Sequence, residues 1–424
     1  MLVQLDKSLE SSSLARGAAA NIKKCAHRGF CNATCPTFVL TKDQALGPRG
    51  RIATIKGFLQ GEPVTPAIRK QLDLCLACRS CQTTCPAGIE FGQLIKQARA
   101  LMEQRYPRPF KQRMFRWLVC QTLPYRKRAS LVLALARHCQ PELKAARSHC
   151  ASLTSGELPR RTNKTAFSAS DDTPTRPCIL LLEGCADSLT DSISNHSLIR
   201  IANCIGLDAR VVKKVGCCAS LPQHLGSHAQ ATQLMKANID ALWPLVKKGA
   251  AAIIHTSSSC QLQFIEYPKH MRVEPDYIRR AAHIAKLVKN PAALLNEHID
   301  EIASEEIKAK TATLRIAFHT SCSLRHGLGE HDTVERVLKG LGFSLLDVEN
   351  SYLCCGSGGT YSVFEPETAA QLRADKLKKL QVDEPDYIVT ANTSCQVHLS
   401  EKSKVPVVPW LSLVESLLGD RLNH

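Results

Sequence analysis

The chain has 424 residues, of which 44% are hydrophobic and 22% are charged, so it is long enough for two or three globular domains and is not typical of a disordered chain. Twenty cysteines and a net charge of +17 stand out, and a disulfide framework is typical of much smaller secreted domains. The sequence shows neither a signal-peptide-like apolar run at its start nor a stretch long enough to span a bilayer. We therefore expect a cytoplasmic protein whose clustered cysteines bind metal or carry out redox chemistry.

The strongest local pattern lies in the first predicted domain, residues 15–104. It has the spacing C-x2-C-x2-C-x3-C-P and consists of Cys75, Cys78, Cys81, Cys85 and Pro86. This spacing is typical of iron–sulfur ferredoxins, because short gaps let one backbone loop present three thiolates to one cluster while the fourth cysteine ligates the neighbouring cluster. Zinc is the alternative, but zinc sites usually separate their cysteine pairs more widely.

A second copy of this motif has lost one expected ligand. It contains Cys25, Cys31 and Cys35. Arg28 stands where the second cysteine of the motif is expected. Arginine does not deprotonate to become a ligand, so this copy supplies only three thiols.

Crossed ligation divides the seven cysteines into one complete and one incomplete site. Cys35 completes a [4Fe–4S] site with the first three cysteines of the intact motif. The other site retains Cys25, Cys31 and Cys85. Three thiolates suit a [3Fe–4S] cluster, and the alternatives are a [4Fe–4S] cluster with His27 or water as fourth ligand, or no stable cluster.

The next predicted segment, residues 105–150, is strongly basic, with 11 Lys or Arg and one acidic residue. Its pattern predicts two helices, the first with an apolar stripe that includes Phe110, Met114 and Trp117. Docking on anionic lipid, docking on an acidic partner subunit and an ordinary solvated helix all fit this pattern. No nucleic-acid partner is expected, because no recognition fold accompanies the basic residues.

A duplicated cysteine pattern follows residues 151–177, a predicted linker rich in Ser, Thr and Pro. In each copy, 31 residues separate the first cysteine from a Cys–Cys pair, and 41 or 39 residues separate the pair from the last cysteine. The copies consist of Cys185, Cys217, Cys218 and Cys260, and of Cys322, Cys354, Cys355 and Cys395. The matched spacing favours a duplicated α/β module, at residues 178–300 and 301–424.

The cysteines of both modules are expected at strand ends, where ligand sites form in open α/β sheets. Metal or cluster ligation and thiol redox chemistry are the two alternatives for them. His319 and His398 lie near module cysteines, but a hydrogen-bonded surface or supporting position is more typical of such histidines than ligation, and His255 carries a weaker signal still. The glycines of Gly356–Gly359 are expected to let the backbone approach a metal site closely.

These motifs together resemble the iron–sulfur subunits of heterodisulfide reductase and glycerol-3-phosphate dehydrogenase, and most specifically those of glycolate oxidase. The runs that carry the likeness to glycolate oxidase are Gly47–Ile52, Leu180–Ala186, Asn238–Pro244, Leu353–Tyr361 and Val389–Leu399. The resemblance extends from about residue 20 to residue 418. It implies an α+β protein, with an N-terminal α-helical, two-cluster ferredoxin-like domain followed by a duplicated α/β cysteine-rich domain.

The resemblance also implies an oxidoreductase subunit that passes electrons from an FAD-containing partner, which oxidises glycolate to glyoxylate, to a quinone or another acceptor. Flavin and substrate would lie on partner subunits, and further clusters in the cysteine-rich modules are an open alternative. We expect a cytoplasmic location, with peripheral contact of the basic segment to the inner face of the cell membrane as one alternative.

Other functions stay open at this point. They are a lactate or glycerol-3-phosphate dehydrogenase subunit, a thiol or disulfide reductase, and a zinc-stabilised binding protein. Ser257 and Asn392 stand where heterodisulfide reductases have a cysteine, which weakens the case for disulfide reduction.

Overall fold

A computed structural model describes residues 2–131, 178–185 and 193–418 of the chain. Helices occupy the N-terminal part and two parallel sheets with flanking helices follow, which confirms the predicted α+β class. The predicted linker, residues 151–177, and most of the second predicted basic helix lie outside the described residues. Within the described residues, no helix combines the length and apolar composition needed to cross a membrane.

The N-terminal part is helical. Its helices are α1 (Ser13–Lys23), α2 (Phe30–Ala33), α3 (Pro36–Thr41), α4 (Pro48–Leu59), α5 (Pro66–Asp73), α6 (Ser80–Thr83), α7 (Phe91–Arg105) and α8 (Phe110–Thr122). The side chain of Ser12 caps α1 by accepting a hydrogen bond from the amide of Ala15. Ile22, Ile55 and Leu94 from three different helices share one buried core, which holds the two cysteine loops in place.

Helix α8 confirms the first predicted helix of the basic segment, but its apolar stripe lies at the surface. Phe110, Met114 and Trp117 are 75%, 52% and 61% exposed. Arg108 instead turns inward and donates to both carboxylate oxygens of Asp73, at 2.6 and 2.8 Å. The ion pair between Arg108 and Asp73 therefore holds this basic segment against the ferredoxin-like part.

Two four-stranded parallel sheets confirm the duplicated α/β module. The first contains β1 (Cys178–Leu182), β2 (Asp208–Val211), β3 (Ala252–His255) and β4 (Val288–Lys289), and the second contains β5 (Arg315–His319), β6 (Ser344–Leu346), β7 (Tyr387–Thr390) and β8 (Val407–Pro409). The strand orders, β2-β1-β3-β4 and β6-β5-β7-β8, are equivalent. All residues of β1 and β3 are buried, as expected for parallel strands covered on both faces.

Helices connect and cover these strands. They are α9 (Ile193–Cys204), α10 (Ser220–His224), α11 (His228–Lys247), α12 (Ser258–Ile265), α13 (Tyr267–His270), α14 (Pro275–Leu287), α15 (Pro291–Glu297), α16 (Ile299–Ile302), α17 (Glu305–Thr311), α18 (Thr333–Gly340), α19 (Tyr361–Phe364), α20 (Pro366–Leu380), α21 (Thr393–Ser400) and α22 (Trp410–Leu418). Trp410 of α22 is buried in one core with Leu181 of the first sheet and Phe318 of the second. The two modules are therefore joined through a common hydrophobic core. The predicted boundary between residues 300 and 301 falls inside α16.

Candidate iron–sulfur and metal sites

The two cysteine motifs of the ferredoxin-like part fold alike. In the intact copy, Ala77 and Arg79 have left-handed φ angles of 52° and 66°. In the other copy, the equivalent residues His27 and Gly29 have φ angles of 52° and 80°. Because the same unusual conformations recur at equivalent positions, Arg28 replaces the expected ligand without changing the course of its loop.

The first set of thiols combines residues from both motifs. One cavity is lined by Cys35, Cys75, Cys78 and Cys81. The amide of Ala77 donates to the sulfur of Cys75 at 3.4 Å. The structure thus brings together the four cysteines that crossed ligation assigns to one centre.

The chemistry of these four thiols fits an iron–sulfur cluster. Burial raises the pKa of Cys78 and Cys81 well above the usual thiol value, and the neighbouring thiols raise it further. Thiolates collected in such a place need bound cations to balance their charge. Four soft sulfur donors are the ligand number and type of a [4Fe–4S] cluster.

A buried arginine also contacts this set. Arg51 is 1% exposed, and its guanidinium lies 3.7 Å from the sulfur of Cys35 while donating to Thr37 Oγ1 at 3.1 Å. Its positive charge faces sulfur that would be anionic in a cluster. Arg51 belongs to the run Gly47–Ile52, but its role could not be predicted, because one arginine in an amphipathic helix gives no sequence signal of burial.

The second set contains three thiols. Cys25, Cys31 and Cys85 line one cavity of about 260 Å³, together with His27 and Arg28. Burial raises the pKa of Cys31, and the nearby sulfurs of Cys85 and Cys25 add to this effect. The structure thus gathers the three cysteines that crossed ligation leaves over, with the arginine on the wall of the same cavity.

The first cysteine-rich module gathers its four thiols at the carboxyl edge of its sheet. Cys217 Sγ lies 3.6 Å from Cys185 Sγ, and Cys218 Sγ lies 3.2 Å from Cys260 Sγ. Hydrogen bonds with Cys217 and Cys260 lower the pKa of Cys218. Strand ends therefore bring together cysteines that are far apart in sequence.

The second module repeats this arrangement. Hydrogen bonds connect the thiols in the order Cys322, Cys354, Cys355 and Cys395. A ring nitrogen of His319 and the sulfurs of Cys355 and Cys395 all lie within 4.8 Å of one another. This module therefore combines thiols with an imidazole.

Of the two positions expected for His319 and His398, at the surface or in support of the site, the structure shows buried ones. They are 2% and 5% exposed, because both belong to elements that the rest of the module covers. His398 Nε2 lies 3.3 Å from the carbonyl oxygen of Ala369, which gives it a supporting contact. His255 is buried at the end of β3, and its Nδ1 accepts a hydrogen bond from the amide of Ser257 at 3.1 Å.

The two modules and the ferredoxin-like part meet around one cavity of about 250 Å³. Its lining includes Cys218 and Cys260 of the first module, Cys322 and Cys395 of the second, and Cys78 of the ferredoxin-like part. This convergence follows from the sheet topology, because the loops at the carboxyl ends of parallel strands lie on one side.

The glycine run after Cys355 makes a close contact with the ferredoxin-like loop. Gly358 has a φ of 50°, and a Cβ atom there would lie 2.7 Å from the Cβ of Tyr361 and 3.3 Å from Leu76 Cδ2. Leu76 packs in one cluster with Cys354, and Cys78 lies against the same cluster. The glycine therefore allows the backbone of the second module to approach the loop that carries the first thiol set.

A buried charge network fastens the first module to the same loop. Arg79 donates to both carboxylate oxygens of Glu266 at 2.8 and 2.6 Å, and Lys96 Nζ lies 3.3 Å from the same group. Burial alone would raise the pKa of Glu266, but Arg79 and Lys96 outweigh it and hold this pKa well below its usual range. Burial lowers the pKa of Lys96 to about 8. No local pattern in the sequence indicates this network, because Glu266 lies 187 positions from Arg79 and 170 positions from Lys96.

Two thiol sets of the ferredoxin type, joined to a duplicated cysteine-rich module, place this chain in the class of iron–sulfur proteins. A family model described as a 4Fe-4S dicluster domain matches residues 21–89, and one described as a cysteine-rich domain matches residues 179–265 and 316–400. Both matches agree with the architecture and support [4Fe–4S] clusters as cofactors.

Full-length relatives identify the family within this class of proteins. The chain is 34% identical to the glycolate oxidase iron–sulfur subunit of Escherichia coli (strain K12), over 99% of both chains. It is 26% identical to the probable glycolate oxidase iron–sulfur subunit of Bacillus subtilis (strain 168), over 93% of this chain and 91% of that one. Lactate utilization protein A of Geobacillus sp. (strain WCH70) is 23% identical over 53% of this chain and 92% of that one. The chain belongs to the family of glycolate oxidase iron–sulfur subunits, and the resemblance found in the sequence is confirmed.

The buried charge network leads to a stability prediction. We expect Glu266→Gln to lower the free energy of unfolding by about 3–5 kcal/mol, because Arg79 and Lys96 stay buried without a counter-charge. Urea unfolding of the anaerobically prepared chain at neutral pH measures this loss. The folded-state pKa of Glu266 lies below its unfolded value, so its stabilising contribution is present at neutral pH and is lost as the pH falls towards the folded-state pKa.

The matched control for this prediction is Glu301→Gln. The Glu301 carboxylate is 58% exposed and pairs with His298 at 2.8 Å. Because exposed pairs contribute at most about 1 kcal/mol, this variant should stay close to the wild type. Equal losses in the two variants would show that the buried network contributes nothing specific.

Proposed function

We propose that this chain carries electrons within a glycolate-oxidising complex, from an FAD-containing subunit to a quinone or another acceptor. Family membership supports the assignment, since full-length relatives bear the name of glycolate oxidase iron–sulfur subunits. The structural observation that carries it is the position of Cys81, which lines the cavities of both thiol sets in the ferredoxin-like part. Two centres that adjoin at one ligand would give electrons a short route through the protein.

We assign the ligands of each cluster from the cysteines that line the two cavities. We propose that Cys35, Cys75, Cys78 and Cys81 hold a [4Fe–4S] cluster, which supplies one-electron redox chemistry when bound. Cys25, Cys31 and Cys85 would hold a [3Fe–4S] cluster, because their number matches its three ligand positions. Arg51, in contact with Cys35, would favour the more negative, reduced state of the first centre.

Substrate oxidation is proposed to take place on the partner subunit that binds flavin. Glycolate is the first choice of substrate because of the full-length relatives, and lactate is the second, because lactate utilization protein A is related over about half of this chain. Since this chain would not touch the substrate, the flavoprotein partner decides between them.

Anaerobic reconstitution tests this function. The purified chain should not oxidise glycolate alone, and glycolate should reduce its clusters, seen by electron paramagnetic resonance, once a glycolate-oxidising flavoprotein is added. Cys81→Ser should abolish this reduction, because the assignment places Cys81 in the complete site. Cys120→Ser is the matched control, since Cys120 is buried on α8 away from both cavities.

Three results would contradict the proposal. They are iron-free protein, glycolate oxidation by the chain without any partner, and full cluster reduction in the Cys81→Ser variant. Reduction only with a lactate-oxidising flavoprotein would replace glycolate by lactate. Reduction of a disulfide substrate by the isolated chain would favour the thiol reductase alternative.

Arg28 allows a test of the second centre. Arg28→Cys restores the missing thiol in a loop that already has the required conformation, so we expect the [3Fe–4S] signal of the wild type to be replaced by a [4Fe–4S] signal. Iron content should rise by about one atom per chain, the difference between the two cluster types.

The matched control is Arg28→Ser, which removes the same charge and adds no thiol. It should keep the wild-type signal. A [4Fe–4S] signal already present at this site in the wild type, or no change in the Arg28→Cys variant, would show that the three-thiolate assignment is wrong.

We further propose that the exposed face of α8 makes peripheral contact with an anionic membrane surface. Phe110 and Trp117 are exposed there beside the exposed basic residues Lys111 and Arg113, a combination that suits lipid headgroups. Salt-sensitive sedimentation of the chain with vesicles containing anionic lipid should therefore be lost in the Phe110→Ala, Trp117→Ala double variant. Absence of binding by the wild type would leave this face without a membrane role.

A further inference from the structure

A basic surface surrounds the second set of thiols. Residues 16–56 contain eight Lys or Arg and one acidic residue, Asp43. Arg28 and Arg49 line the cavity of this thiol set, both are exposed, and none of the residues that line the cavity is acidic. Lys56 follows Arg49 by seven residues on α4, so it lies on the same face of that helix.

These cations have no carboxylate partner within the protein. Arg28, Arg49 and Lys56 take part in no ion pair of the described residues. Arg51 of the same helix differs, because it is buried and its guanidinium lies 3.7 Å from the sulfur of Cys35. A cation that only balances the charge of sulfur is expected in such a contact, whereas exposed cations remain available to a partner.

An aromatic side chain is exposed beside the same thiols. Phe30 begins α2, directly precedes Cys31, lines the cavity and is 58% exposed. A single exposed ring is common on protein surfaces, but here it lies among unpaired arginines at the mouth of a thiol site. Aromatic residues and arginine are the residue types enriched where proteins bind one another.

The second thiol set is also the more accessible of the two. Three of the four cysteines of the first set are buried, whereas all three cysteines of the second set are partly exposed. Helix α8, whose outer face is proposed to contact the membrane, contributes no residue to the cavity of the second set. An acceptor dissolved in the membrane would be met on the side of α8, which leaves the second set to the electron donor.

We propose that Phe30, Arg28, Arg49 and Lys56 form the docking surface for the FAD-containing partner, which would present an acidic patch and an apolar contact for Phe30. This inference rests on the proposed function and adds the place where electrons enter the chain. In each transfer, the reduced partner would lose one electron and the second centre would gain it. Opposite charges on the two surfaces would speed the encounter and orient the partner.

Stopped-flow reduction of the full, anaerobically prepared chain by a glycolate-oxidising flavoprotein tests this surface. The flavoprotein is reduced with glycolate beforehand and kept dilute, so that the encounter limits the rate. The second-order rate constant for cluster reduction should fall as the ionic strength rises, because salt screens the attraction between exposed charges.

The Arg49→Glu, Lys56→Glu double variant should lower this rate constant about tenfold at low ionic strength, with iron content and cluster signals unchanged. Arg28 is kept, because a carboxylate at that position would offer iron a new ligand. Phe30→Ala should lower the rate constant at every ionic strength, because salt does not screen an apolar contact. If the charge-reversed variant loses its clusters, Arg49→Gln with Lys56→Gln decides, and it should show a smaller loss of the same kind.

The matched control is the Lys247→Glu, Lys248→Glu double variant. It makes the same change in net charge at two exposed lysines at the end of α11, in the first module. Its rate constant should equal that of the wild type. An equal loss in this control would show that net charge, and not the surface around Phe30, attracts the partner.

Other outcomes would also overturn the proposal. They are a wild-type rate constant that does not depend on ionic strength, and an unchanged rate constant in both the charge-reversed variant and Phe30→Ala. Sedimentation with anionic vesicles is the comparison for lipid: if the charge-reversed variant loses vesicle binding but keeps its rate constant, the surface belongs to lipid.

Failure of the docking surface is distinct from failure of the proposed function. If the surface is wrong, clusters are still reduced, but the variants behave as the wild type does. If no electron passes even in the wild type, the proposed function fails, and titration calorimetry with the same flavoprotein still tests docking. Binding that is about tenfold weaker in the charge-reversed variant would support the surface, and absence of binding by the wild type would overturn it.

Discussion

Gathering cysteine sulfurs in buried places is the constraint on which the rest of this structure depends. Burial raises the pKa of Cys78 and Cys81, and each additional thiol nearby makes ionisation harder. In their ionised form these sulfurs are stable there only if cations lie among them. Iron in the ferredoxin-like part meets this requirement. Protein cations such as Arg51 add to it.

The same constraint explains how the parts of the chain fit together. The loop of Cys75 to Arg79 contacts both modules: Leu76 packs against the glycine run of the second module, and Arg79 pairs with Glu266 of the first. The loop that supplies three thiols to one site is therefore held from two sides. A common core around Trp410 fixes the two modules to each other, so both thiol rows face one cavity with Cys78. Rigid support of this kind keeps ligands in position when the charge of a redox centre changes.

Much of this could be predicted from the sequence, for physical reasons. The two-residue gaps between Cys75, Cys78 and Cys81 allow one loop to present three thiolates to a single cluster. The matched spacing of 31 residues in the two modules indicates that one folding unit occurs twice. Crossed ligation of Cys35 was also expected, and the structure places it with the other three. The surroundings of the histidines could not be predicted equally well from the sequence. His319 and His398 look alike in sequence, yet one has a backbone partner and the other faces two thiols.

By itself, the sequence determined the class of protein, the duplicated module and the grouping of the cysteines, because local spacing and repetition carry this information. Only the tertiary structure decided which elements surround each group. The pairing of Arg79 with Glu266 joins residues 187 positions apart, and the apolar stripe of α8 faces solvent although its periodicity equally fits a buried helix. Burial and long-range pairing depend on how whole elements pack, and no local pattern of residues encodes that packing.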